Sequence, residues 1–128
     1  MEGERPQFAP GLQVVQAYGT GGFTVSGVRH AGSVLIFPDR VAAWPVEAPD
    51  QLDLAAFDTV RTAEPVPDIL IVGLGASFLP FPADLRAAIR GWGPVVEAMA
   101  TPAACRTYNV LLSEQRRVAA ALIRLPAG

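Results

Sequence analysis

The chain has 128 residues, of which 51% are hydrophobic and 17% charged, and its formal net charge is -2. That is the size of one domain, and the balance excludes both a polar disordered chain and a cationic nucleic-acid surface, because no cluster of like charge is present to neutralise phosphates. All ten basic residues are arginine, which removes a Schiff-base lysine, a pyridoxal phosphate anchor and the lysine of a Walker-type loop from consideration.

Residues 1–10, with Pro6 and Pro10, are expected to form a loose lead-in to a single globular domain over residues 11–128. The opening MEGERPQFAPGLQVVQ contains neither a basic region leading into an apolar run nor an arginine-rich amphipathic presequence, so no export signal is expected. Leu12 to Tyr18 and Phe23 to Val28 are enriched in β-branched and aromatic residues and read as strands, with the turn residues of YGTGG between them. Arg29 to Gly32 reads as a turn that places His30 at a hairpin tip. Ser33 to Phe37 is a strand ending at Pro38-Asp39, and Val41 to Val46 is a short strand whose Pro45 favours an edge or a bend.

The character of the chain then changes. Asp53 to Phe57 carries a short helical pattern, and Glu64-Pro65-Val66-Pro67-Asp68 is a rigid approach to the strand Ile69 to Val72, apolar at four successive positions as in a strand buried on both faces. Pro82 to Arg90 is a helix with Leu85, Ala88 and Ile89 at helical spacing, stopped by Gly91 and Gly93. Pro94 to Met99 is a strand, Thr101 to Glu114 a helix, and Val118 to Leu125 a closing strand. Alternation of strand and helix predicts a crossover unit with at least two parallel strands. The loops after Gly73 and Ala100 then open on the carboxyl edge of the sheet, where ligands of open α/β sheets bind.

The residues of that edge suggest little chemistry. GLGASFLP matches only the first two glycines of G-x-G-x-x-G, Gly73 and Gly75, with Phe78 in the third place. Ser77 lacks the G-x-S-x-G frame of a nucleophile elbow, and no catalytic residue is assigned. Thr101 reads as an N-cap followed by Pro102 as the first helical residue. At about 100° per residue, Ala104, Cys105, Tyr108, Leu111 and Leu112 share one face. Cys105 and Tyr108 are therefore expected in the core, Asn109 is expected to bond a neighbouring loop, and all three are read as structural. Arg106 points outward. Gly73, Gly75, Ser77, Thr101 and Arg106 form the candidate ligand set, suited to a carboxylate or phosphate because helix N-termini and arginine favour anions.

One cysteine and one histidine make neither an internal disulfide nor an ordinary structural zinc site, so no metal and no cofactor are expected, and the cytoplasm is the expected compartment. The longest apolar runs, such as ILIVGLGASFLPF, fall short of the roughly 20 residues that span a bilayer, so no transmembrane span is expected.

Three motifs now combine: Gly73-Leu74-Gly75 after an apolar strand, Glu97, Met99 and Thr101 in an E-x-M-x-T segment, and Thr107-Tyr108-Asn109 followed by Leu112 and Glu114 to Arg117. With FTVSGVRHAGSVLIFP leading to Trp44, they make nearly the whole chain resemble a domain-of-unknown-function family that includes mitochondrial complex I assembly factor 3 and bacterial and archaeal relatives. The resemblance implies a three-layer α/β domain with a central mixed sheet and an N-terminal antiparallel β layer. It implies no reaction and no cofactor. It points to a bacterial, cytoplasmic, non-enzymatic binding or assembly protein, with another protein as partner in respiratory complex assembly at the inner membrane. A homo-oligomer is left open. The competing expectation is an enzyme or sensor that binds a small anion or carboxylate at the carboxyl edge.

Overall fold

Two sheets share the described part of the chain, which in the computed structural model comprises residues 11–76 and 79–126. The lead-in at residues 1–10 and the candidate Ser77 lie outside the described residues. Strands β1 (Val15–Gly19), β2 (Gly22–Val25) and β3 (Val28–Ala31) form an antiparallel meander in that order. The β2–β3 turn is made by Ser26 and Gly27, whose φ angles of 46° and 85° are both positive. Paired positive-φ residues give the two-residue turn whose twist suits a hairpin. This corrects the sequence expectation. The chain reverses before Val28, so Arg29 to Ala31 are not a turn but part of β3, and His30 stands opposite Phe23 within the sheet.

The second sheet contains β4 (Ser33–Phe37), β5 (Arg40–Trp44), β6 (Ile69–Gly73), β7 (Val95–Met99) and β8 (Val118–Leu122), in the order β5-β4-β8-β6-β7. β6 runs parallel to both β7 and β8, whereas β4 pairs antiparallel with β5 and β8. The sheet is therefore mixed. Every residue of β4 and β8 is buried, which explains their uninterrupted runs SVLIF and VAAAL in place of alternation.

Each face of this sheet is covered. On one, Leu35, Phe37, Leu70, Val72, Ala119 and Ala121 meet Trp44, Phe57, Phe81, Leu85 and Ile89. Trp44 is the last residue of β5, and the others come from a 3₁₀ turn (Leu54–Phe57), helix α2 (Ala83–Arg90) and the loop before it, with Val60 of helix α1 (Asp58–Arg61) in the same cluster. α2 forms because Leu85 and Ile89, four residues apart, bury one stripe, while Asp84 and Arg90 stand at the ends where their charges oppose the helix dipole. Trp44 is held by its indole N–H donating to the Ala56 carbonyl, 2.8 Å, and by Phe57, whose ring lies 5.5 Å away.

On the other face, Val34, Ile36, Ile71, Ala120 and Leu122 meet Phe23 and Val25 of the small sheet and Ala104, Cys105, Tyr108 and Leu112 of helix α3 (Thr101–Ser113). The small sheet and α3 lie side by side and are joined by consecutive residues of α3. The Tyr108 hydroxyl donates to the Gln13 carbonyl (2.9 Å), and the Asn109 amide both accepts from Val15 N–H (3.1 Å) and donates to its carbonyl (2.8 Å). Asn109 thus reaches a strand and not a loop, and its amide serves the free edge of β1 as a further strand would. The architecture is a single three-layer α/β domain. Among the described residues no helix is long and apolar enough to cross a membrane.

Candidate functional site

β6, β7 and β8 end together at one edge, and their ends are tied to one another before any ligand is considered. Leu74 N–H donates to the Met99 carbonyl (2.8 Å), and Ile123 N–H donates to the Gly73 carbonyl (3.0 Å). Thr101 closes the arrangement. It is fully buried, its Oγ1 accepts from Gly75 N–H (2.9 Å) and donates to the Ile123 carbonyl (2.7 Å), and its own N–H donates to the Gly75 carbonyl (2.9 Å).

The helix start differs from the sequence expectation for this reason. Ala100 is the N-cap residue and makes no side-chain cap bond; Thr101 is the first helical residue and Pro102 the second. The threonine hydroxyl has better-placed partners in the β6 loop and after β8 than in its own helix. Gly73 is required by this close approach, since a Cβ there would lie 2.8 Å from Thr101 Oγ1 and 3.0 Å from Thr101 Cα. Gly75 serves a different need, with a φ of 86° in the left-handed region.

Above this clasp opens a cleft of about 410 Å³, lined by Leu74, Gly75, Ala76, Leu79, Ile123 and Arg124 with Glu47 at its rim. Of the candidate ligand residues, Gly75 lines it. Gly73 and Thr101 are buried, and Thr101 lies directly against Gly73. Arg106 is exposed on α3 and is not among the lining residues. Sequence reasoning missed Arg124 and Ile123, although they follow β8 and so occupy the same carboxyl edge. The ends of all parallel strands, and not only β6 and β7, belonged in that search. Arg124 is engaged: its Nε lies 2.6 Å from Glu47 Oε1. Among the described residues no group of three His, Cys, Asp or Glu side chains is placed to hold a metal ion.

Comparison with known proteins adds the relatives. Residues 15–123 match the model of the family described as Protein of unknown function (DUF498/DUF598). The chain belongs to this family. An uncharacterised protein of Rhodobacter capsulatus is 40% identical over 128 residues, covering all of this chain and 97% of that protein. The NADH dehydrogenase (ubiquinone) 1 alpha subcomplex assembly factor 3 of Danio rerio is 32% identical over 115 residues, 90% of this chain and 66% of that protein. The chain thus spans just under two thirds of that assembly factor. A solution structure from Bordetella pertussis, described as a Mth938-like domain, superposes with a TM-score of 0.80 at 29% identity, covering 93% of this chain and 90% of that one.

The DUF498/DUF598 match begins at the first residue of β1 and ends at Ile123, the acceptor of the Thr101 hydroxyl. The whole clasp lies within it. Cys105, one turn along α3, is 2% exposed, and burial pushes its thiol up to about 12, against a smaller opposing effect of Arg106. Burial likewise raises Tyr108. Native protein at pH 8 should therefore react with a thiol reagent at least about a hundredfold more slowly than unfolded protein, since only thiolate attacks and only exposed sulfur is reached. Because the folded value lies above the unfolded one, the Cys105 contribution to stability is complete below pH 9 and is lost as pH rises from there towards 12. Labelling of the native thiol as fast as of the unfolded one would show the α3 core face to be open.

Proposed function

We propose that this protein is a non-enzymatic, assembly-type binding protein that helps build a membrane respiratory complex by holding a protein partner, working from the cytoplasm or at the periphery of the inner membrane. The observation that carries this reading is identity of 32% over 115 residues to an assembly factor of NADH dehydrogenase. The region of likeness contains both the small sheet and α3. The chemistry of the carboxyl edge supports the same reading: Thr101 spends its hydroxyl in both directions on backbone, and Arg124 is paired with Glu47. No nucleophile, base and oxyanion donor converge there among the described residues, as acyl or phosphoryl chemistry requires.

Affinity purification of the tagged chain from its host, with a deletion strain in parallel, tests the reading. The chain should recover subunits of the host's NADH dehydrogenase, and the deletion strain should accumulate an incomplete complex. Recovery of the chain alone, with a complete complex in the deletion strain, would remove the assembly role.

A second reading has the cleft of about 410 Å³ in its favour, namely a small carboxylate or phosphate held beside Gly75 and Arg124. An anion there must draw Arg124 from Glu47. A ligand at a hundred times its dissociation constant adds about 2.7 kcal/mol, so a thermal-shift series with simple carboxylates and phosphate checks this reading, and a flat series ends it.

A further inference from the structure

The edge of the sheet at β7 carries a surface that the assembly reading leaves unassigned. Among the described residues β7 is the last strand of its sheet and pairs only with β6. Val95 N–H bonds Asp68 and the Met99 carbonyl accepts from Leu74, both on the β6 side. By the alternation of a strand, the backbone groups of Val96 and Ala98 therefore face away from β6. Arg86 of α2 covers one of them, its Nη1 donating to the Val96 carbonyl. Its guanidinium also lies 5.5 Å from the centre of the Phe81 ring. One turn on, Arg90 Nη1 donates to the Gly93 carbonyl at 2.6 Å.

Between the two arginines is a groove of about 260 Å³ lined also by Ala83, Ala87, Val95 and Val96. The three ion pairs among the described residues join Arg40 to Asp39, Arg61 to Asp58 and Arg124 to Glu47. Arg86 and Arg90 take part in none of them. Each guanidinium has five donors and has given one to a backbone carbonyl.

We infer that the β7 edge and the Arg86–Arg90 pair form the docking site for an extended, acidic segment of a partner protein, which adds to the sheet as a sixth strand beside β7. The inference rests on the assembly reading and names its contact surface. Main-chain bonds to Val96 and Ala98 supply strand addition, and carboxylates on the α2 side of the incoming strand supply the selection. Arg86 is displaced from the Val96 carbonyl to a carboxylate. In the free protein it blunts the edge, which an unguarded strand end would offer to any other strand.

A second copy of the chain fits this surface poorly. Glu97 is in register with Ile71, whose side chain belongs to the α3 face, so an antiparallel β7–β7 pair leaves Glu97 on the face away from α2. It would instead bring two arginine-bearing α2 helices together.

The test is a titration of the isotope-labelled full chain with a blocked hexapeptide of alternating valine and glutamate, and separately with one of alternating valine and lysine. The acidic peptide should bind saturably and shift the resonances of α2 and β7. Exchange of the Ala98 amide hydrogen should slow at least about tenfold in the complex, because that amide gains an acceptor. Arg90→Glu, on an exposed side chain, should weaken binding at least about tenfold without changing the rest of the spectrum. Arg86→Gln should weaken it too, and Arg90→Glu keeps the test decisive if Arg86→Gln fails to fold.

Absence of saturable binding, equal binding of the lysine peptide, or Ala98 exchange unchanged in the complex would each overturn the inference. So would a concentration-dependent dimer that the acidic peptide cannot displace. The host purification separates this outcome from the assembly reading: if Arg90→Glu still recovers the respiratory subunits, the assembly role stands and the β7 site is wrong.

Discussion

Thr101→Val is expected to lower the free energy of unfolding by about 3 kcal/mol, since it leaves one buried donor and one buried acceptor without partners and each such group costs roughly 1–3 kcal/mol. The groups are Gly75 N–H and the Ile123 carbonyl, now 2.9 and 2.7 Å from Thr101 Oγ1. Valine matches threonine in shape, so the loss is polar and not a cavity. At this chain length the midpoint of thermal unfolding should fall by roughly 10 °C. Thr101→Ser, which keeps the hydroxyl, should recover most of the loss. Denaturant titrations of the three proteins decide the matter. A valine variant within about 1 kcal/mol of the native chain would mean that the loop and β8 find other partners, and that Thr101 is not the closure of this edge.

Gly73→Ala carries the second large effect. The added methyl meets Thr101 Oγ1 at 2.8 Å, Thr101 Cα at 3.0 Å and Leu122 Cδ2 at 3.1 Å. Two of these atoms belong to the fully buried first residue of α3, and one of those two is backbone. The strand end and the helix start must therefore separate by several tenths of an ångström. We expect a loss of about 3 kcal/mol, at the upper end of the range for overpacking. Gly75→Ala makes the contrast. Its Cβ has open space, with Ile123 Cγ2 at 3.9 Å as the nearest contact, but its φ of 86° strains any L-residue, which costs roughly 1–2 kcal/mol. Unfolding curves should rank Gly73→Ala below Gly75→Ala. The reverse order would mean that α3 shifts freely against β6.

Much of this fold is legible because its signals are local. The apolar run Ile69 to Val72, the spacing of Leu85 and Ile89, and the stop after α2, where Gly93 has a φ of 131°, each follow from burial or backbone freedom at that point in the chain. What was not legible depends on partners far along it. Thr101 has the composition of a cap, but its hydroxyl partners are 26 and 22 residues away, and no window around Ala100 reveals them. Asn109 likewise bonds Val15 across 94 residues. The missed reversal at Ser26-Gly27 is of another kind. Its Ser-Gly pair is an ordinary turn signal, hidden inside what reads as one continuous β-rich run. The alternation of strand and helix locates the ends of β6 and β7 at one edge, while the residues that line the cleft there depended on how far β8 extends.

The position of β8 has a consequence for how the chain becomes a protein. Among the described residues it is the last strand in sequence, yet it stands at the centre of the five-stranded sheet, between β4 and β6. Until it emerges during synthesis, β4–β5 and β6–β7 are two separate ribbons with nothing to join them, each presenting an open apolar edge. Closure of the five-stranded sheet in the nascent chain therefore waits for β8, and the alanine-rich VAAAL is suited to that entry. It asks for little room between layers already half assembled, and on arriving it makes two fragments into one sheet.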